Sequence, residues 1–109
     1  MDQNYNKLVR DLIPDKIKAN GEIPFTRILN DEEFKKELER KLYEEYLEVI
    51  SSSGKDRLEE IADMLEVLKY LVKIENSSLE EVMNIGLKKN ELRGSFEKRI
   101  YLERVRTKE

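Results

Sequence analysis

The chain has no cysteine, no histidine and no tryptophan, and its 109 residues include only four glycines and two prolines. Each absence closes off a class of chemistry. Without thiols there is no disulfide framework, no thiolate nucleophile and no zinc ribbon. Without imidazole there is no Ser-His-Asp triad and no H-E-x-x-H zinc site. Any proton transfer falls to carboxylates, lysine, tyrosine or metal-activated water. No stretch approaches the ~18 consecutive apolar residues of a membrane span. The opening, Met1-Asp2-Gln3-Asn4-Tyr5-Asn6-Lys7, has no apolar run and does not read as a secretory signal. A cytoplasmic location is therefore expected. Twenty-one Lys and Arg against 24 Asp and Glu give a formal charge of −3, which offers no basic excess for nucleic acid.

What the chain does have is charge, at 41% of residues, interleaved with 39% hydrophobic residues. The length predicts a single domain over residues 1–109 with one core. The apolar spacing is mostly helical and predicts four helices. A short one runs near Asp11 to Ala19, with Pro14 in its opening turn and Asn20-Gly21 as its stop. A second runs from Asp31 to Ser51, with Asn30 as N-cap and Glu33 completing a capping box. Ser51-Ser52-Ser53-Gly54 is a break. A third runs from about Lys55 to Glu75. A fourth opens at Ser77-Ser78 and runs to about Leu92, with Gly94 just past its end. Phe96 to Val105 is expected to be a short strand or a clamp over the bundle. The fold class is thus all-α: a helical bundle built on a long antiparallel helix pair, with short extended N- and C-terminal segments.

The informative feature is where certain acids fall. At about 100° per residue, Phe34, Leu38, Leu42, Tyr46 and Val49 share one stripe of the second helix. Glu45 projects inside that stripe and Glu48 at its edge, whereas Glu44 points away. On the third helix the apolar arc carries Ile61, Met64, Val67, Leu68, Leu71 and Ile74. Glu60 and Asp63 project into it, while Glu59, Glu66, Lys69 and Lys73 gather on the opposite side. A hairpin turning near Ser52 and Ser53 sets E-x-x-E beside E-x-x-D, with all four acids within about 9 Å along the axis. Four carboxylates do not share a half-buried pocket unaided, because burial and like charge both oppose ionisation. Two remedies exist. One is a hard divalent cation, Mg²⁺ first, with Mn²⁺ or Ca²⁺ as substitutes. The other is an internal network of ion pairs, drawing on residues such as Lys41 and Arg57.

Three stretches together resemble a known family. Lys41-Leu42-Tyr43-Glu44-Glu45-Tyr46-Leu47-Glu48 followed by Glu59-Glu60-Ile61-Ala62-Asp63 is similar to the E-E-x-x-E … E-x-x-D signature of the MazG-like all-α nucleoside-triphosphate pyrophosphohydrolases. Tyr5-Asn6-Lys7-Leu8-Val9-Arg10-Asp11-Leu12-Ile13-Pro14 resembles the N-K-L-V-R-D-x-I-P opening of a small single-domain branch. Lys88-Lys89-Asn90-Glu91-Leu92-Arg93-Gly94-Ser95-Phe96 resembles its K-x-x-x-R-G-G-F ending, with Ser95 in place of the second glycine. The branch is related to phosphoribosyl-ATP pyrophosphohydrolase.

The resemblance implies cleavage of a nucleoside triphosphate between its α and β phosphates, giving a monophosphate and pyrophosphate. It implies Mg²⁺ held by Glu45, Glu48, Glu60 and Asp63, with Mn²⁺ as a substitute, and Glu45 or Glu48 as the catalytic acceptor of a proton from water. Cations must offset the acids if a triphosphate is to approach. Lys89 and Arg93 share a face at i, i+4, with Lys88 beside them, and Lys7 and Arg10 form a second cluster. Phe96 is a candidate to stack on the base, or a core aromatic. Asp11 is the expected partner of Arg10, or an N-cap. The resemblance also implies a homodimer or homotetramer, and the wide apolar arcs of both long helices point the same way. The rival reading is a non-catalytic helical module that oligomerises or binds a partner, its acids held in ion pairs.

Overall fold

The computed structural model describes residues 1–108, and among them the only regular elements are four helices. Their order is α1 (Ile13–Ala19), α2 (Asp31–Ser51), α3 (Gly54–Ile74) and α4 (Leu79–Arg93). The chain falls into two compact units, Met1–Ser77 and the residues from Ser78 onward.

Local chemistry explains where each helix begins and ends. Pro14 occupies the first turn of α1, where a missing N–H costs nothing, and Gly21 leaves the helix at φ +81°. Asn30 caps α2 through a complete capping box: its side chain accepts from Glu33 N at 2.9 Å, and Asn30 N donates to the Glu33 carboxylate at 3.4 Å. Arg27 forks onto the same carboxylate at 2.7 and 3.1 Å. That bidentate pair, followed by the Asn30 backbone, holds the Glu33 carboxyl below its ordinary value.

Two residues, Ser52 and Ser53, join α2 to α3. The last carbonyls of α2 would otherwise be orphaned. Ser51 Oγ donates to Leu47 O and Ser52 Oγ to Glu48 O, both at 2.8 Å. Arg57 Nε, one turn into α3, donates to Ser52 O at 2.8 Å and Val49 O at 3.2 Å. Arg57 therefore serves the turn's carbonyls rather than the acid cluster.

α2 and α3 pack on each other along their lengths. Phe34, in the first turn of α2, meets Tyr70 near the end of α3 edge-on, with ring centroids 6.3 Å apart. Leu38 from α2 and Val67 from α3 are the buried apolar side chains, at 3% and 6% exposure. The stripes projected from the sequence do face inward at these points. They are only partly covered, however. Tyr46 and Ile61 of those stripes remain exposed, as do Ile50, Leu58 and Leu65 outside them, and Tyr43 stacks on Tyr46 at 6.1 Å on the outside.

In the second unit, Ser78 Oγ accepts from Glu81 N at 3.2 Å, and Gly94 closes α4 at φ +78° with its N–H on Asn90 O at 2.8 Å. No residue of α4 is buried. The strand considered for Phe96 to Val105 is not formed. The chain instead turns, with Arg99 N donating to Phe96 O at 3.2 Å, and then runs without regular structure. A strand needs a neighbour to take up its backbone groups, and this tail has none among the described residues. The N-terminal stretch before α1 likewise holds no strand. No helix is long and apolar enough to cross a membrane.

Candidate metal centre

Glu45 sits in the last third of α2, and Glu60 and Asp63 sit one turn apart in the first half of α3. Because the two helices are joined by only two residues, positions about equally far from the turn come side by side. One carboxylate oxygen from each of Glu45, Glu60 and Asp63 lies within 4.8 Å of the other two. Glu45 is buried, at 9% exposure, and Glu60 and Asp63 are half-buried.

The electrostatics of this trio are unbalanced. Burial pushes the Glu45 carboxyl above its ordinary value, and repulsion from Asp63 adds to the shift. Lys41 pulls the other way, while Glu60 and Glu44 push further up. Glu45 Oε2 is sealed from solvent and receives no hydrogen bond. A buried acceptor in that condition costs about 1–3 kcal/mol, and more when it is charged. Among the described residues, neither Glu45 nor Glu60 has a basic partner within 4.0 Å.

Asp63 does have one. Arg10 Nη2 donates to Asp63 Oδ1 at 2.8 Å. Asp11, the expected partner of Arg10, is not the one it takes. The pair joins residues 53 apart in sequence, so no local spacing signals it. Both side chains stay about half exposed, which keeps the pair in the range of a surface salt bridge, ~0–1 kcal/mol.

The donor set suits a hard cation. It consists of carboxylate oxygens alone, with no nitrogen or sulfur ligand, and one oxygen is buried without a partner. One guanidinium on one member leaves the trio two charges short of neutral. A divalent ion would supply that charge and give the Glu45 carboxylate a partner.

Glu48 is exposed and outside the trio. Three residues beyond Glu45, it points about 60° away from it, toward solvent. Lys7 is exposed, with Nζ 5.8 Å from the centre of the Tyr5 ring. Lys88, Lys89 and Arg93 lie in the second unit, exposed on the last two turns of α4. Phe96, at 96% exposure, is not a core aromatic of that unit.

Comparison with known proteins adds little chemistry. No family model matches the chain, and no solved structure matches it. Over 50 residues, 46% of this chain, it is 42% identical to a protein of Mycolicibacterium smegmatis described only as uncharacterized. The match covers 51% of that protein, so this chain aligns with about half the length of its relative.

Proposed function

We propose that this chain is a Mg²⁺-dependent nucleoside-triphosphate pyrophosphohydrolase of the MazG-like kind, acting in nucleotide-pool house-cleaning. The observation that carries the reading is the convergence of one carboxylate oxygen each from Glu45, Glu60 and Asp63, where Glu45 also buries an oxygen with no partner. These are three of the four acids that the resemblance assigns to the metal. On this reading α2 and α3 form the antiparallel pair that serves as scaffold, and their short turn fixes the register of the ligands.

Glu45, Glu60 and Asp63 would hold the ion. When bound, Mg²⁺ would neutralise phosphate charge and make water a better nucleophile at neutral pH. The rest falls to the chain's own groups. Glu48, one turn from Glu45 and open to solvent, takes the proton from the attacking water at its carboxylate. Water oxygen bonds to the α-phosphorus, the bond from that phosphorus to the bridging oxygen breaks, and pyrophosphate leaves with the electron pair. Lys7 and Arg10 supply cationic groups in the first unit. Lys88, Lys89, Arg93 and Phe96 are assigned to the nucleotide on the resemblance alone.

Self-association belongs to the same reading. Two long amphipathic helices whose buried apolar side chains are Leu38 and Val67 leave apolar arcs facing water. At roughly 25 cal/mol per Å², covering them with a second copy is favourable. We therefore read the working form as a homodimer or homotetramer, cytoplasmic, with no membrane or nucleic-acid partner.

One observation favours the rival, a non-catalytic module with an ion-pair network: Arg10 holds Asp63. That network stops there, because Glu45 and Glu60 are left without a cation. The deciding experiment is a nucleotide panel with Mg²⁺, measuring monophosphate and pyrophosphate together. Equal amounts of the two, lost with EDTA and in Glu45→Gln and Asp63→Asn, are expected. Release of orthophosphate instead, or rates unchanged in both variants, would overturn the reading.

A further inference from the structure

We propose that Arg10 is the resident counter-cation of the acid cluster, and that a divalent ion must displace its guanidinium from Asp63 to bind. The inference rests on the metal reading of Glu45, Glu60 and Asp63, and concerns what governs affinity there.

Three observations lead to it. First, Arg10 reaches only one member of the trio. Its Nη2 is 2.8 Å from Asp63 Oδ1, while the Glu45 and Glu60 oxygens, within 4.8 Å of an Asp63 oxygen, have no basic partner. A guanidinium so placed offsets part of the charge without quenching the site. Second, Arg10 approaches from outside the helix pair. It lies just before α1, where Arg10 O accepts from Ile13 N at 3.1 Å, so its backbone is tied to the start of a helix while its side chain reaches across to α3. Third, the pair is about half exposed on both sides, so opening it forfeits little.

The alternative role for such an arginine is to orient Asp63 as a ligand while remaining bound to it. Coulomb's law decides between the two. A doubly charged ion seated among these oxygens would stand within several ångströms of a fixed positive charge. Even at high effective dielectric that repulsion is of the same order as, or larger than, the gain from a half-exposed ion pair. The guanidinium is therefore a competitor of the ion. Its displacement sets a threshold that free metal must overcome, and leaves a planar fork, suited to phosphate oxygens, at the edge of the site.

The test is a titration with Mn²⁺ alone, read by the electron paramagnetic resonance signal of the free ion, on the full chain without nucleotide. Arg10→Gln is expected to tighten Mn²⁺ binding roughly three- to tenfold. Arg10→Lys, which keeps charge but loses the fork, should shift affinity in the same direction by less. Arg27→Gln removes the same charge at the Glu33 cap, about 18 Å along α2 from Glu45, and should leave affinity within about twofold. Unchanged or weaker binding in Arg10→Gln would overturn the counter-cation role, as would equal tightening in Arg27→Gln. If Arg10→Gln does not fold, the sign of the Arg10→Lys shift decides. Binding to wild type with no gain in the Arg10 variants sinks this inference alone. Absence of binding in every protein sinks the metal reading with it.

Discussion

Replacing Glu45 by glutamine should stabilise the metal-free protein and destroy its response to Mg²⁺. Glu45 is buried, its Oε2 has no hydrogen bond, and burial first and Asp63 second raise its carboxyl above the ordinary value of 4.5. A carboxyl raised on folding is easier to keep protonated in the folded chain than in the unfolded one. Its contribution to stability is therefore fully present below 4.5 and is lost as pH rises through the raised folded value. At neutral pH the wild type carries the penalty of a buried, repelled anion, which glutamine lacks. Glutamine still buries a polar head, so only part of the ~1–3 kcal/mol is recovered. About 1 kcal/mol is expected, or roughly 4–8 °C in Tm for a domain of this size. The assay is thermal unfolding by circular dichroism in EDTA, at about pH 7.5 and again near pH 4. Comparing variant with wild type at each pH removes other titrations, including Glu33, whose lowered value makes its stability fall as pH drops. The gap should close at the lower pH. Mg²⁺ at about a hundredfold excess over its Kd should then stabilise wild type by ~2.7 kcal/mol and leave the variant unmoved. A variant less stable than wild type in EDTA at neutral pH would refute the reasoning, since Glu45 would then be held by a favourable partner.

Other substitutions separate the roles within the site and the fold. Asp63→Asn and Glu60→Gln should each lower Mn²⁺ affinity by more than about a hundredfold, beyond the loss typical of outer-shell partners, as measured by direct titration. Glu48→Gln should lower kcat about a hundredfold or more while leaving Mn²⁺ affinity within roughly twofold, because Glu48 stands outside the trio. Arg57→Ala should cost about 1 kcal/mol in denaturant unfolding, from the lost bonds to Val49 O and Ser52 O. Asn30→Ala should cost a similar ~1 kcal/mol by removing the α2 cap. Sedimentation velocity should find a species larger than one chain at micromolar concentration, and a strictly monomeric protein would count against self-association.

Much of this arrangement is legible in the sequence alone, and the reasons are local. Asn30 with Glu33, Pro14, Ser78 and Gly94 all act within a turn of themselves, so α2 begins and ends where the spacing placed it, and α3 and α4 shift by only about one residue. The burial of Glu45 followed from helical phase alone, because Leu38 lies on the same stripe. Glu48 was harder. It projected to the stripe's edge, where small differences in helix rotation decide between pocket and solvent, and the chain resolves it toward solvent.

What the sequence hid is long-range. Arg10 has Asp11 beside it, yet takes Asp63. No periodicity reports a pairing between a segment before α1 and the face of α3. The tail from Phe96 to Val105 has enough apolar residues to suggest a strand. Strand formation, however, depends on a partner edge, which composition does not reveal. The apolar arcs of α2 and α3 were legible as arcs. That one chain covers so little of them is a property of packing, which the spacing of apolar residues does not report.

A cation among Glu45, Glu60 and Asp63 is what the proposed chemistry requires first. The most direct measurement is an anomalous difference map from crystals grown with Mn²⁺, collected at the manganese edge. A single strong peak within coordination distance of all three carboxylates is expected, with the Arg10 guanidinium swung off Asp63. A map with no peak there, Arg10 still on Asp63 and Glu45 Oε2 bonded to another basic group, would contradict it.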